Sequence, residues 1–253
     1  MDSLVTEFDG GVLTVRLNRP EKLNALSVEL HEALVETWKR ARDDDTVRAV
    51  LVKGTGERAF CVGNDTSERE GVPGVEEFMN NRIAAWDFRT IGLWKPVVAS
   101  IRGHCIGGGL TLALACDMRI ASDDAQFSYP EVARGVPNLT GSVMLPRLTN
   151  LGGALELLLL GARIDADDAY RRGLINRVVP VAQLDETAIE TAHALAALPT
   201  VAAQLTKEIV YRGLESAPDT AVRMGKAFRQ ISHRVAESKE IAVEPVDRQT
   251  ASS

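Results

Sequence analysis

Residues 101–121 read IRGHCIGGGLTLALACDMRIA. The apolar run Val97-Val98-Ala99-Ser100-Ile101 that enters this stretch predicts a buried strand. Gly107, Gly108 and Gly109 follow, and then an apolar, helix-like segment from Leu110 to Cys116. Three consecutive glycines between a strand and a helix leave the backbone bare of side chains. They do so where the first helical N–H groups have no intrahelical acceptor. Such a turn can hold a developing negative charge, as an oxyanion hole does. It can equally be a tight turn that lets the helix pack closely. The rest of the chain has to decide between these readings.

The chain has 253 residues, enough for a sizeable core, with 45% hydrophobic and 25% charged residues, the composition of an ordinary globular protein. Its net charge of −6 argues against a general field for nucleic acid or for an anionic membrane. The start, MDSLVTEFDG, lacks a basic segment followed by an apolar one, so no secretory signal is expected. Apolar runs are broken well short of a membrane span. Cys61, Cys105 and Cys116 are odd in number and lack CxxC spacing. Reduced, buried thiols in a cytoplasmic protein are expected, with neither a zinc site nor a disulfide frame.

Leu13, Val15 and Leu17 alternate with polar residues, and Gly10-Gly11 before them predicts a hairpin with a strand near Leu4 to Phe8. Ser27 is a candidate N-cap for a helix carrying Leu30, Leu34 and Trp38 at helical spacing. Ala49 to Val52 predicts a buried strand. The segment AFCVGNDTSE, residues 59–68, is a second strand end that meets a glycine and then capping residues, Asn64 among them. Residues 67–76 read as a polar surface loop and Met79 to Leu93 as a helix. Asp117 to Ala121 returns as a strand, and Glu131 follows Pro130 directly in FSYPEVARG. From Ser142 the chain turns mostly helical. Asp165 caps a short helix that stops at Gly173, and Ile175 to Val181 is extended. Helices over Leu184–Leu198, Thr200–Leu214 and Asp219–Glu237 complete the chain.

Five segments in order resemble the signature blocks of the crotonase superfamily, the enoyl-CoA hydratase/isomerase family. They are NRPEKLNALS (18–27), AFCVGNDTSE (59–68), IRGHCIGGGLTLALACDMRIAS (101–122), FSYPEVARGVP (127–137) and ELLLLGARIDADDAYRRGLINRVVP (156–180). The resemblance implies an α/β chain with the crotonase (ClpP-like) fold. That fold has a repeated ββα superhelical core, here 1–195, and a helical C-terminal trimerisation region, here 196–253. It implies an acyl-CoA thioester as substrate, no metal and no redox cofactor, and a homotrimer or a hexamer of paired trimers. By position, the two backbone N–H groups that hold the thioester oxygen fall on Asn64 and Gly108. Lys22, Leu23 and the Asp65 region resemble segments that line the CoA pocket. Glu131 occupies the place of the family's second catalytic glutamate.

The chemistry agrees with that placement. Proton removal beside a thioester gives an enolate, whose oxygen two preorganised donors stabilise. A carboxylate in an apolar site can move the proton both ways. The departures are as informative. Thr111 stands where the hydratases carry their first glutamate, two residues after the glycines, and a hydroxyl is no proton acceptor at neutral pH. Asn138 replaces a usual glycine, and its side chain either intrudes on the acyl pocket or donates a hydrogen bond there. Tyr129 either lines the pocket or packs at a surface edge. His104 reads as structural, and the C-terminal ending lacks the family's Phe-containing basic segment. One carboxylate fits the shuttling of a proton between two carbons of one substrate. Isomerisation of 3-enoyl- to 2-enoyl-CoA is therefore favoured, with hydration or a hydratase-lyase reaction close behind and a catalytically silent acyl-CoA binder as the alternative. RNA binding through Trp38-Lys39-Arg40-Ala41-Arg42 is disfavoured by the acidic total. GxSxG, GxGxxG and Walker A patterns are absent.

Overall fold

The computed structural model describes residues 2–68 and 87–238. Contacts divide the chain into two compact units, Met1–Leu198 and Pro199–Ser253. In the first, β1 (Leu4–Asp9) and β2 (Val12–Leu17) form the antiparallel hairpin expected at Gly10-Gly11. Both glycines have positive φ, 53° and 85°, which this turn requires. Four more strands extend the sheet in parallel from β2: β3 (Ala49–Gly54), β5 (Val97–Ile101), β7 (Met118–Ser122) and β10 (Arg177–Val179), in the order β1-β2-β3-β5-β7-β10. A smaller sheet has the order β4 (Ala59–Cys61), β6 (His104–Ile106), β8 (Gln126–Ser128), β9 (Ile164–Asp165). Each successive pair, β3–β4, β5–β6 and β7–β8, sends its first strand to the large sheet and its second to the small one. This is the expected ββα winding.

The large sheet is buried on both faces, which explains its continuous apolar strands. Leu13, Val15, Val50, Val52, Val97 and Ala99 face the main core, where α1 (Val28–Asp43) contributes Leu30, Leu34 and Trp38. Trp38 is fully buried and meets Phe88 edge-on, with ring centroids 5.5 Å apart. The alternate residues Val12, Ala49, Leu51, Val98 and Ile120 face α6 (Leu184–Ala196), whose Leu184, Ala188, Ala192 and Ala196 recur every four residues. Ser27 caps α1 as expected, accepting from the Leu30 N–H at 3.1 Å.

Several boundaries differ from the sequence reading. α2 starts at Gly108, inside the glycine triplet, and runs to Ala115. α3 spans Leu139–Leu148, three residues earlier than expected, because the Asn138 side chain accepts from the Gly141 N–H. α4 (Leu151–Leu160) and α5 (Ala166–Arg171) follow, the latter capped by Asp165 as predicted. Of the helix expected over Met79–Leu93, residues 79–86 lie outside the described residues, as does the polar loop beyond Glu68. The described remainder is a single 3-10 turn, Phe88–Ile91, capped by Asp87 and stopped by Gly92 at φ 81°. The extended stretch Ile175–Val181 is a strand only over Arg177–Val179. The chain then enters a 3-10 turn at Val181.

The second unit pairs α7 (Thr200–Gly213) with α8 (Pro218–Ser238). Among the described residues no helix is long and apolar enough to cross a membrane, and no three metal-ligating side chains cluster. All three cysteines are buried and in no disulfide. In the 38–42 segment, Trp38 is core, Lys39 pairs with Glu36, and Arg42 pairs with Asp43 and donates to the Ile91 carbonyl.

Candidate active site

Each glycine of the triplet has its own physical reason. Gly107 adopts φ 56°, ψ −123°, and caps α2 without a side chain. An added Cβ there would lie 2.7 Å from Glu131 Oε1. A Cβ on Gly109 would overlap the Cys61 carbonyl of β4. Gly108 lies between them as the first residue of α2, so its N–H has no acceptor within the helix. The close-packing reading is therefore met at Gly107 and Gly109, and Gly108 presents a first-turn N–H beside them.

Chain crossing brings Asn64 to the same place. Gly63, at φ 88°, approaches so closely that a Cβ there would sit 2.9 Å from the Gly108 nitrogen. Residues 63–65 form an isolated parallel bridge with Leu26. In that bridge the Leu26 N–H donates to the Gly63 carbonyl at 2.8 Å and the Asp65 N–H donates to the Leu26 carbonyl at 2.9 Å. The pattern uses the amide of residue 65 and turns the amide of residue 64 away. Among the described residues neither the Asn64 N–H nor the Gly108 N–H has a hydrogen-bond partner. The Asn64 side chain does not cap a helix, contrary to expectation. Its Oδ1 is buried with no hydrogen-bond partner among the described residues. Asp65 does the local capping, accepting from the Ser67 N–H and Oγ.

Glu131 opens a short 3-10 turn, Val132–Arg134, just after β8. Its Oε1 accepts from Asn138 Nδ2 at 3.1 Å, and its Oε2 is buried with no partner among the described residues. Burial pushes this carboxyl above its ordinary value. Backbone and Asn138 hydrogen bonds and the Arg134 charge pull the other way. Thr111 and Tyr129 lie in the interior. The Tyr129 hydroxyl and Thr111 Oγ1 are 3.2 Å apart, and both residues are buried. Tyr129 is thus no surface-edge residue, and burial raises its hydroxyl well above the usual range. The Thr111 hydroxyl is engaged by the Tyr129 hydroxyl, and residue 111 supplies no acid.

Lys22 and Leu23 belong to the neighbouring loop. Pro20–Lys22 is a 3-10 turn, and Leu23 and Asn24 both take left-handed conformations, φ 53° and 56°. Lys22 is exposed, and Leu23 lines a shallow depression with Pro20, Asn24 and Arg58. Arg19 staples this loop to the site. It pairs with Asp65 at 2.9 Å and donates to the Ala25 carbonyl at 2.7 Å. Asn24 donates to the Thr55 and Ala59 carbonyls. Neither Arg19 nor Asn24 was singled out from sequence. The available signal was the Asn in a turn, a residue that tolerates the left-handed region.

The chain is similar in sequence and fold to known proteins. The enoyl-CoA hydratase/isomerase family model matches residues 7–243. The chain is 36% identical over 224 residues to a short-chain-enoyl-CoA hydratase of Clostridium acetobutylicum, covering 88% of this chain and 86% of that protein. It is 33% identical over 250 residues to a 1,2-epoxyphenylacetyl-CoA isomerase of Escherichia coli, covering 95% and 94%. The crystal structure of an enoyl-CoA hydratase from Bacillus anthracis superposes with a TM-score of 0.85 at 32% identity, covering 94% of this chain and 96% of that one. Fold, block order and relatives converge, and the chain belongs to the enoyl-CoA hydratase/isomerase family, with its crotonase fold.

Proposed function

We propose that this protein acts on an acyl-CoA thioester by forming its enolate, with Glu131 as the one proton carrier, and that it isomerises 3-enoyl- to 2-enoyl-CoA. The observation that carries this reading is a carboxyl seated by Oε1 over the Gly107 turn, with Oε2 buried and, among the described residues, without a partner, beside the Gly108 and Asn64 amides that likewise have none among the described residues. In the proposed step, Glu131 takes a proton from C2 of the substrate. The electron pair moves onto the thioester oxygen, which receives hydrogen bonds from the Asn64 and Gly108 N–H groups. The α2 N-terminus adds its dipole at the same point. Return of the proton to C4 moves the double bond into conjugation and restores the carboxylate. The reaction balances with one acid, and needs no metal or redox cofactor. Lys22, Leu23 and Asp65 are proposed to border the CoA moiety, and Thr111, Tyr129 and Asn138 the acyl side.

Hydration is the second reading, favoured by the name of the Clostridium acetobutylicum relative. The isomerase name of the Escherichia coli relative supports the first. Three buried cysteines outside any disulfide support a reducing compartment, so we propose a cytoplasmic location. We also propose a homotrimer or a pair of trimers. Purified protein given 2-enoyl- and 3-enoyl-CoA of several lengths is expected to turn over a 3-enoyl substrate, and Glu131→Gln to lose about 10²–10⁴ in kcat. Full activity in that variant would remove Glu131 from the mechanism. Binding without turnover of any substrate would leave the silent acyl-CoA binder.

A further inference from the structure

The Asn138 carboxamide is committed at both ends. Its Oδ1 accepts the Gly141 N–H at 2.6 Å and so caps α3. A backbone N–H is only a donor, so the atom facing it must be the amide oxygen, and the NH2 group must face the other way. There it meets Glu131 Oε1 at 3.1 Å. The surroundings leave the amide little freedom. A Cβ on Gly141 would overlap Asn138 Oδ1 and lie 2.7 Å from the Tyr129 ring. Glu131 Oε1 is in turn seated over Gly107.

We infer that Asn138 is a positioning residue that holds Glu131 by Oε1 and thereby makes Oε2 the atom that takes and returns the substrate proton. The inference rests on the reading of Glu131 as proton carrier. Because Oε1 already accepts an N–H, a proton arriving on the carboxyl goes to Oε2, which has no partner among the described residues. The helix end of α3 thus orients the acid through one side chain. Asn138 also favours the charged form of Glu131, since its N–H stabilises a carboxylate more than a carboxylic acid.

Other groups bear on the same carboxyl. Arg134 lies on its own turn, and Tyr129 interacts with it electrostatically. Glu156, on the adjacent α4, is neutralised by Arg172 at 2.6 Å. α2 supplies no titratable side chain.

Two variants separate capping from positioning. Asn138→Ser keeps a good cap but is too short to reach Glu131, and Asn138→Asp keeps cap and length but replaces the donor with an acceptor. Melting temperatures are expected to stay close to wild type in both. The 13C-detected titration midpoint of Glu131, assigned by difference from Glu131→Gln, is expected to rise by about one pH unit in the serine variant and further in the aspartate variant. kcat is expected to fall about tenfold in the serine variant, with KM less affected, and the acid limb of the pH–rate profile to move up with the midpoint. A midpoint unchanged in both variants would overturn the inference. Retained activity in Glu131→Gln would instead overturn the functional reading, and the titration would still decide the positioning on its own.

Discussion

Asp65 and Glu131 stand a short distance apart in role and at opposite ends of carboxyl chemistry. Asp65 accepts hydrogen bonds from the Ser67 hydroxyl and amide and from Arg19. These, the Ser67 hydroxyl foremost, bring it down to about 2 despite some burial. Glu131 has one side-chain donor, Asn138, and a buried second oxygen, and burial moves it up. A carboxyl whose folded value is depressed adds stability that is present above the ordinary carboxylate range and is lost as pH falls through the folded value. Asp65→Asn is therefore expected to melt below wild type at neutral pH. The gap should close as the pH falls toward about 2. Melting midpoints over a pH series check this, and a deficit of equal size at every pH would contradict it. For Glu131 the sign is reversed, since the fold favours its protonated form. The acid that serves the proposed reaction does so at a cost to stability near neutral pH.

At the scale of elements, the position of α2 decides the site, and its two ends are held differently. At the C-terminal end the buried Arg119 donates to the Cys116 carbonyl at 2.6 Å and, through Nε, to the Leu174 carbonyl at 2.7 Å. α1 ends the same way, with the buried Lys95 donating to the Ala41 and Asp44 carbonyls. A cation at a helix C-terminus opposes the helix dipole favourably. At its N-terminal end α2 is held by backbone contact with β4. Gly109→Ala sets two effects against each other. Local propensity favours alanine in a helix by about 1 kcal/mol. The added methyl would overlap the Cys61 carbonyl, which is main chain and has no rotamer to escape into. Packing wins, so the variant is expected to melt below wild type. Displacing the Gly108 amide is expected to lower kcat by about 10²–10³, the loss typical of one oxyanion donor. Thermal unfolding and steady-state kinetics check both, and a stabilised, fully active variant would show that β4 does not set the position of α2.

At the scale of the whole molecule, the first unit leaves large apolar side chains in solvent along α3 and α4. Leu139, Val143, Leu151, Leu155 and Leu159 are each about half exposed, and Leu160 is 76% exposed. We propose that these side chains belong to an association face, since apolar surface left in water is commonly covered by a partner. The proposed homotrimer predicts a sedimentation mass of three times, or for paired trimers six times, the 27.4 kDa of one chain. Leu155→Glu combined with Leu159→Glu is expected to shift that mass toward the single chain. A wild-type protein that sediments as a monomer at micromolar concentration would remove the proposal.

Much of this protein is legible residue by residue. The alternation of Leu13, Val15 and Leu17, the hairpin glycines, the caps at Ser27 and Asp165 and the ordered signature blocks are local signals. They act through backbone dihedrals and through neighbours within about one helical turn, and each marks its element in the structure. The glycine triplet was legible as a turn from the same kind of signal, whereas Glu131 was singled out as an acid only through the family resemblance. Contacts across the winding were not legible in this way. The bridge that turns the Asn64 amide away from Leu26 joins residues 38 apart in the chain. The burial of Tyr129 against Thr111 and the seat of Glu131 over Gly107 depend on how the chain beyond β8 packs back against α2, and the two-ended use of Asn138 on the path of the loop between Glu131 and α3. Sequence by itself determined which residues could carry charge, cap a helix or permit a turn. Only the tertiary structure decided which of their atoms were left without partners, because that depends on what the rest of the chain packs against each one.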